Sequence, residues 1–335
     1  MLTYIAKRVA FSGVVFAIIA FVSFGIICMY PGDFYTPLEW AVRAFGLDPE
    51  LPALLRAEKA LDKPFFVQFW IWFEGVITRG DFGVSFRTNG PVGPFLFRPG
   101  GPVEVSLIVS VTSMMVAWLL GIPIGVLSSR FRGRWANAVF GLLTYPILSV
   151  PTYITGILIH WFIYRFVDPL MVGSGLWGMC GWRFVGCPMS FAKFGSCVLH
   201  LLPIWIIVGT PIFVTVVRIV RMGMHDVMAA PFVTVARGKG ASELHVIFRH
   251  ALRNAVNPLI SSFGVMLPMV LINSIIVAAL FNIPSFGQIM LEWVGYQDQH
   301  VVTAALLFYG SFLIVGNLIS DIPLAASDPR IRVGG

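Results

Sequence analysis

The stretch ARGKGASELHVIFRHALRN, residues 236–254, carries Arg237, Lys239, Arg249 and Arg253, one acid (Glu243) and two histidines. Apolar runs at 199–220 and 259–282 flank it, each long enough to cross a bilayer, which takes roughly 20 residues. A basic segment so placed is a loop held at a membrane surface. Composition agrees: of 335 residues 57% are hydrophobic and 12% charged. A soluble domain carries about a quarter charged residues. The mean hydropathy of +0.85 and the 29 Phe and 10 Trp describe an integral membrane protein with interfacial aromatics.

Outward from the loop, six segments are apolar enough to span: 9–30, 103–127, 135–166, 199–220, 259–282 and 302–324. The third holds Pro146 and Pro151 and is expected to kink or tilt. At about 22 residues, the first run exceeds the roughly 7–15 of a signal-peptide core, so it reads as a retained helix. Six spans put both termini on one side. That side collects Lys7, Arg8, Arg130, Arg132, Arg134, Arg218, Arg221, Arg237, Lys239, Arg249, Arg253, Arg330 and Arg332 against few acids. By the positive-inside rule the termini are expected in the cytoplasm. The net charge of +7 therefore reports topology first and is no nucleic-acid footprint.

The chain is expected to divide into a first spanning helix (1–30), an external segment (31–101), a five-helix core (102–325) with a cytoplasmic loop (221–258), and a tail (326–335). In the external segment Phe66, Phe69, Trp70, Phe73 and Ile77 recur at helical spacing, which suits a helix lying on the membrane surface. Cys180 and Cys187 share a short external loop, where a disulfide between them is possible in an oxidising space.

Enzymatic signatures are missing. No HExxH, nucleophile elbow or metal-ligand spacing occurs, and Gly238-Lys239 lacks the other residues of a phosphate loop. His245 and His250, five apart, fall on different faces of an α-helix. The spans carry no chain of buried carboxylates for a proton relay. Uphill transport by this chain would need energy from another subunit.

The loop itself has a readable shape. Leu244, Ile247, Phe248, Ala251 and Leu252 form an apolar stripe at α-helical period. Ser242 is placed as its N-cap, Glu243 sits in the first turn, and basic residues crowd the last. Residues 228–236 can form a second short helix, with Gly238 and Gly240 as the joint. A soluble partner could grip such an elbow; anionic lipid headgroups could equally hold it.

These residues resemble the EAA loop of ABC-transporter permeases, in the form carried by the dipeptide/oligopeptide/nickel importer family. The resembling run is Phe232-Val233-Thr234-Val235-Ala236-Arg237-Gly238-Lys239-Gly240-Ala241-Ser242-Glu243, then Val246, Arg249-His250-Ala251-Leu252-Arg253-Asn254-Ala255 and Pro258. Gly238 replaces a usual Ala, and Thr234 stands where the general pattern has Glu. Similar matches lie at Tyr30–Asp33, Leu61–Pro64, Gly80–Ser85, Gly121–Gly125, Phe281–Gly287 and Asp328–Arg332.

The resemblance implies an all-α membrane fold of the type I ABC importer kind, with about six transmembrane helices and a long periplasmic segment after the first. It implies a second homologous permease subunit, two ATP-binding subunits and a periplasmic solute-binding protein in a bacterial inner membrane. ATP and Mg would then be bound by the partners, and this chain would hold no cofactor and no metal. Thr234, Ala236, Arg237, Gly238, Lys239, Gly240, Ser242, Glu243 and Arg249 would form the ATPase-coupling loop, with Arg237 and Lys239 facing acidic surface. A path between two permease halves needs inward polar groups. Candidates are Ser149, Thr152, Tyr153, Thr155, Thr210, Thr215, Asn273, Ser274, Tyr309, Ser311 and Asn317, each of which could instead bond its own helix. Peptides lead as cargo, with oligosaccharides or opines as the alternative; a stand-alone channel or secondary carrier is the alternative of another class.

Overall fold

A computed structural model describes residues 2–131, 133–167, 178–181 and 186–327, with the backbone alone for 2–5, 134 and 322–327. The Asp328–Arg332 motif, and with it most of the 326–335 tail, lies outside the described residues, as do 168–177 and 182–185 of the loop after the third span.

Among the described residues the regular structure is helical, apart from a single antiparallel bridge between Val84 and Pro91. Among the described residues five helices are long and apolar enough to cross a membrane: Ala6–Cys28 within α1 (Leu2–Cys28), α6 (Pro102–Ser128), α9 (Phe191–Met228), α13 (Asn257–Leu280), and Gln299–Asp321 within α15 (Gln299–Ser327). The remaining expected span, the third at 135–166, is two helices, α7 (Arg134–Ser149) and α8 (Thr152–Phe162), bent by 90° at the break. Pro151 disfavours a helical residue before it, and Val150 is extended at φ −83°, ψ 121°. The expected kink is therefore a full break.

The chain divides into two compact units: one of residues 6–105 and 284–314, the other of 1–5, 106–283 and 315–335. In the first, α2 (Thr36–Phe45), α3 (Leu51–Glu58), α4 (Phe65–Arg79) and α5 (Val92–Phe97) follow α1. Its core is Ala20, Phe24, Trp72 and Leu307, ringed by Phe65, Phe69 and Phe73. The aromatic repeat of α4 is thus split: Phe69 and Phe73 pack inward while Phe66, Trp70 and Ile77 stay exposed. Arg56 of α3 donates to Asp33 and to Glu39. Burial alone would raise the Asp33 carboxyl, but the hydrogen bonds from Arg56 and Thr36 outweigh it and hold Asp33 below the ordinary carboxylate range.

In the second unit helix pairs approach where a side chain is missing. A Cβ on Gly121 or Gly125 of α6 would meet Val216 or Val220 of α9 at 2.8 and 2.7 Å. Small residues four apart admit a close crossing in a membrane, where tight packing replaces the hydrophobic drive. Gly264 of α13 and Gly316 of α15 face each other in the same way, each Cβ meeting the other's carbonyl oxygen at 3.0 or 2.9 Å.

The disulfide that the sequence allows between Cys180 and Cys187 is not formed; Cys180 is bonded to Cys197, with Cα atoms 4.2 Å apart. The physical reason is the length of α9. It begins at Phe191, capped by Ser190, eight residues before the expected span, so Cys197 lies on a rigid turn rather than in the loop. The Gly181 N–H donates to Ser196 Oγ at 2.9 Å, which holds residues 178–181 against that turn, and the Gly178 N–H donates to Phe281 O, just past α13's last turn, at 2.8 Å. Closing a loop of this length is worth about 3 kcal/mol in the chain-entropy picture. Cys197→Ser is expected to lower the unfolding midpoint in detergent by several degrees, as is reductant on the wild type. Equal midpoints with and without reductant would refute the bond.

Candidate functional site

The 221–258 loop folds as an elbow. Its first arm is α10 (Pro231–Gly238), with Pro231 in the first turn, where its missing N–H costs nothing. The joint is Gly240 at φ +82°, a left-handed conformation that side chains resist. Gly238 closes α10 in ordinary helical geometry, so the hinge is one glycine and not two. The second arm opens at α11 (Glu243–His245), where Ser242 Oγ accepts from the His245 N–H.

From there the backbone departs from the α-helical expectation. Val246–Ala251 is a π-helical turn, followed by α12 (Leu252–Ala255). A π turn places residues five apart over one another. Val246, Ile247, Ala251 and Ala255 are the buried set, while Leu244 and Phe248 of the expected stripe are 63% and 61% exposed. The same turn brings His245 and His250 together, ring centroids 5.5 Å apart, where an α-helix would separate them. Nothing in the residue spacing signals this extra residue per turn.

The elbow seats on the last turns of α9. Gly223 lies so close to Ala255 that a Cβ would stand 2.6 Å from its carbonyl oxygen. Val233 and Val246, one from each arm, are fully buried. Arg237 grips Glu243 across the joint, Nη2 to Oε1 at 2.7 Å and Nε to Oε2 at 3.1 Å. The hydrogen bond from Arg237 lowers the Glu243 pKa, and the same bond raises that of Arg237. A cavity of about 340 Å³ beside the pair is lined by Val126, Ser129, Arg130, Met224, Met228 and Ile247 as well. Thr234, Lys239 and Arg249 are exposed on the elbow, and Ala236 is half-buried. Phe232 and Val235 are exposed too, at 44% and 56%.

A second cavity, of about 400 Å³, lies where α7 breaks into α8 beside α9 and α13. Of the candidate path residues it gathers Thr152, Tyr153, Thr215 and Asn273. Met266, Met269, Ile272 and Ile276 supply much of the wall, and none of the lining residues carries a charge at neutral pH. The remaining candidates stand elsewhere. Ser149 and Thr210 donate to their own helices, at Tyr145 O and Ile206 O. Ser274 is buried, donating to Leu271 O at 2.7 Å and accepting from Ser110. Thr155 is half-buried on α8, and Asn317 sits at the Gly264 crossing. Tyr309 and Ser311 belong to the other unit, Tyr309 stacked on Phe286 and Ser311 bonded to Leu307 O. The sequence did not point to the methionines, since an apolar side chain in a span has no period that marks a cavity. Among the described residues no three His, Cys, Asp or Glu side chains gather as metal ligands.

The model of the binding-protein-dependent transport system inner membrane component matches residues 121–333, and that of the N-terminal part of such membrane components matches 1–114. The glutathione transport system permease protein GsiC of Salmonella choleraesuis (strain SC-B67) is 30% identical over 332 residues, covering 99% of each chain. The dipeptide transport system permease protein DppB of Escherichia coli (strain K12) is 28% identical over 355 residues, again covering 99% of both. A multi-span helical chain with a glycine-jointed elbow, matched along nearly its whole length, belongs to the binding-protein-dependent transport system inner membrane component family.

Proposed function

We propose that this permease forms half of the translocation path of an ATP-driven importer for peptides or peptide-like solutes. The observation that carries the energy source is the elbow. Phe232, Val235, Leu244 and Phe248 are exposed on a loop whose second arm is seated on α9 at Gly223 and whose arms bury Val233 and Val246. Apolar side chains held outward on a firm base suit a protein partner more than headgroups. The partner is an ATP-binding subunit, which binds ATP and Mg and carries out hydrolysis. A second permease subunit supplies the other half of the path, a solute-binding protein delivers the cargo, and both termini are cytoplasmic in a bacterial inner membrane. The relatives named for glutathione and dipeptide transport support the peptide class. The path cavity, with hydroxyls, one amide and thioethers but no fixed charge, offers a weakly polar wall to such a solute.

The test is uptake by the complete complex in proteoliposomes. Gly240→Val places a β-branched residue at φ +82°. Left-handed strain of that kind costs about 1–3 kcal/mol. The space around Gly240 is open, so the substitution distorts the joint without a clash. ATP-driven uptake is expected to fall at least tenfold while the chain remains inserted. Wild-type rates in that variant, or wild-type uptake without ATP, would refute the coupling role.

A further inference from the structure

We infer that Arg237 and Glu243 form an internal brace that fixes the angle between the two arms of the elbow, and that they are not docking charges for the ATPase; this rests on the function proposed above. The pair straddles the only left-handed residue of the joint, three positions from Gly240 on either side. Arg237 comes from the end of the first arm and Glu243 from the start of the second. The contact is side-on and bidentate, using both carboxylate oxygens and two guanidinium nitrogens. Such a fork fixes direction as well as distance, which one ion contact through a lysine would not.

The charge balance points the same way. With both oxygens of Glu243 occupied, the Arg237–Glu243 pair presents no net charge to a partner. Arg130, two residues past the end of α6, lies beside the pair along the shared cavity and adds attraction for Glu243. The partner-facing features are then the exposed apolar residues, Lys239 and Arg249. An exposed ion pair adds little to stability. Its use here is geometric: Val233 and Val246 anchor one point of each arm, and the fork adds a second, directional tie across the glycine that fixes their angle, which an elbow needs to pass a rigid-body motion from the ATPase to α9.

The experiment compares Arg237→Ala, Glu243→Gln and the swap Arg237→Glu/Glu243→Arg in the full complex. Two readouts are taken. One is solute imported per ATP hydrolysed. The other is the distance distribution between spin labels at Thr234 and Arg249, in a chain with Cys28 and Cys187 replaced by serine. Each single variant is expected to lower import per ATP at least threefold and to broaden the distribution. The swap is expected to restore at least half of the coupling and to narrow the distribution again. A swap as defective as the singles, with the ATPase dissociating from all three, would overturn the brace in favour of direct docking. Singles with wild-type coupling and an unbroadened distribution would overturn it outright. The label distances do not depend on an ATPase, so a failure of the transport reading is distinguished from a failure of the brace.

Discussion

Replacing Gly223 with valine is expected to lower ATP-driven uptake at least tenfold while the protein still inserts in the membrane. A Cβ at this position would stand 2.6 Å from the carbonyl oxygen of Ala255 and 3.1 Å from its Cα. The obstacle is backbone on both sides, so no rotamer change relieves it. Overpacking of this kind costs typically about 1–3 kcal/mol. Here the strain is relieved most simply by lifting the second arm of the elbow off α9. A shift at that point moves Phe248 and Leu244 together, since the π turn between Val246 and Ala251 is continuous with α12. Gly223→Ala is expected to lie between wild type and valine. Gly195→Val is the control on the same helix, with open space around its Cβ position, and is expected to transport normally. Equal uptake by the two valine variants would mean that the seat on α9 carries no motion.

Asp298→Ala is expected to lower the stability of the unit built from residues 6–105 and 284–314 by about 3 kcal/mol, the sum of a lost helix cap and buried groups left without an acceptor. The side chain is fully buried. Its Oδ2 accepts from Ser85 Oγ at 2.8 Å and from the Arg87 N–H at 3.1 Å, and Oδ1 accepts from the Val301 N–H at 3.4 Å. It thereby caps α15 and ties the 85–87 turn to that helix. Alanine leaves the Ser85 hydroxyl and two backbone N–H groups without an acceptor. Arg87, which donates to Glu292 at 2.7 Å and stacks 3.9 Å from the Tyr296 ring centre, loses the anchor of its own backbone. Limited proteolysis between residues 80 and 100 should accelerate at least tenfold, and the unfolding midpoint in detergent should drop. Asp298→Asn keeps an acceptor oxygen and should recover part of the loss. Cleavage at the wild-type rate in the alanine variant would refute the latch.

Much of this protein is legible from its residues. The spans follow from hydropathy, because a bilayer tolerates only backbones that satisfy their own hydrogen bonds. All six expected runs correspond to observed helices or, at Pro151, to a bent pair. Ser242 caps as its side chain chemistry requires. The elbow's glycine joint is readable too, though only Gly240 takes the left-handed backbone.

What escaped is informative. The stripe through Leu244, Ile247 and Phe248 assumed 3.6 residues per turn, and the π turn changed which of them face inward. His245 and His250 met for the same reason. The period of a helix is a property of its packing as well as of its sequence, and six residues are too few to announce a different one. Cys197 was outside the expected pair because α9 runs to 38 residues, beyond the membrane need on both ends. Of the polar span residues, Thr152, Tyr153, Thr215 and Asn273 share a cavity, although Thr215 also bonds its own helix at Pro211 O, as Ser149 and Thr210 bond theirs away from it.

The sequence by itself therefore determined the solvent, the spans and the joint, since hydropathy, capping and glycine are local properties of the chain. Only the tertiary structure decided the disulfide, the π register, the Arg237–Glu243 grip and the residues that share a cavity. Each of these depends on groups brought together by helix packing, and helical spacing alone does not say which faces will meet.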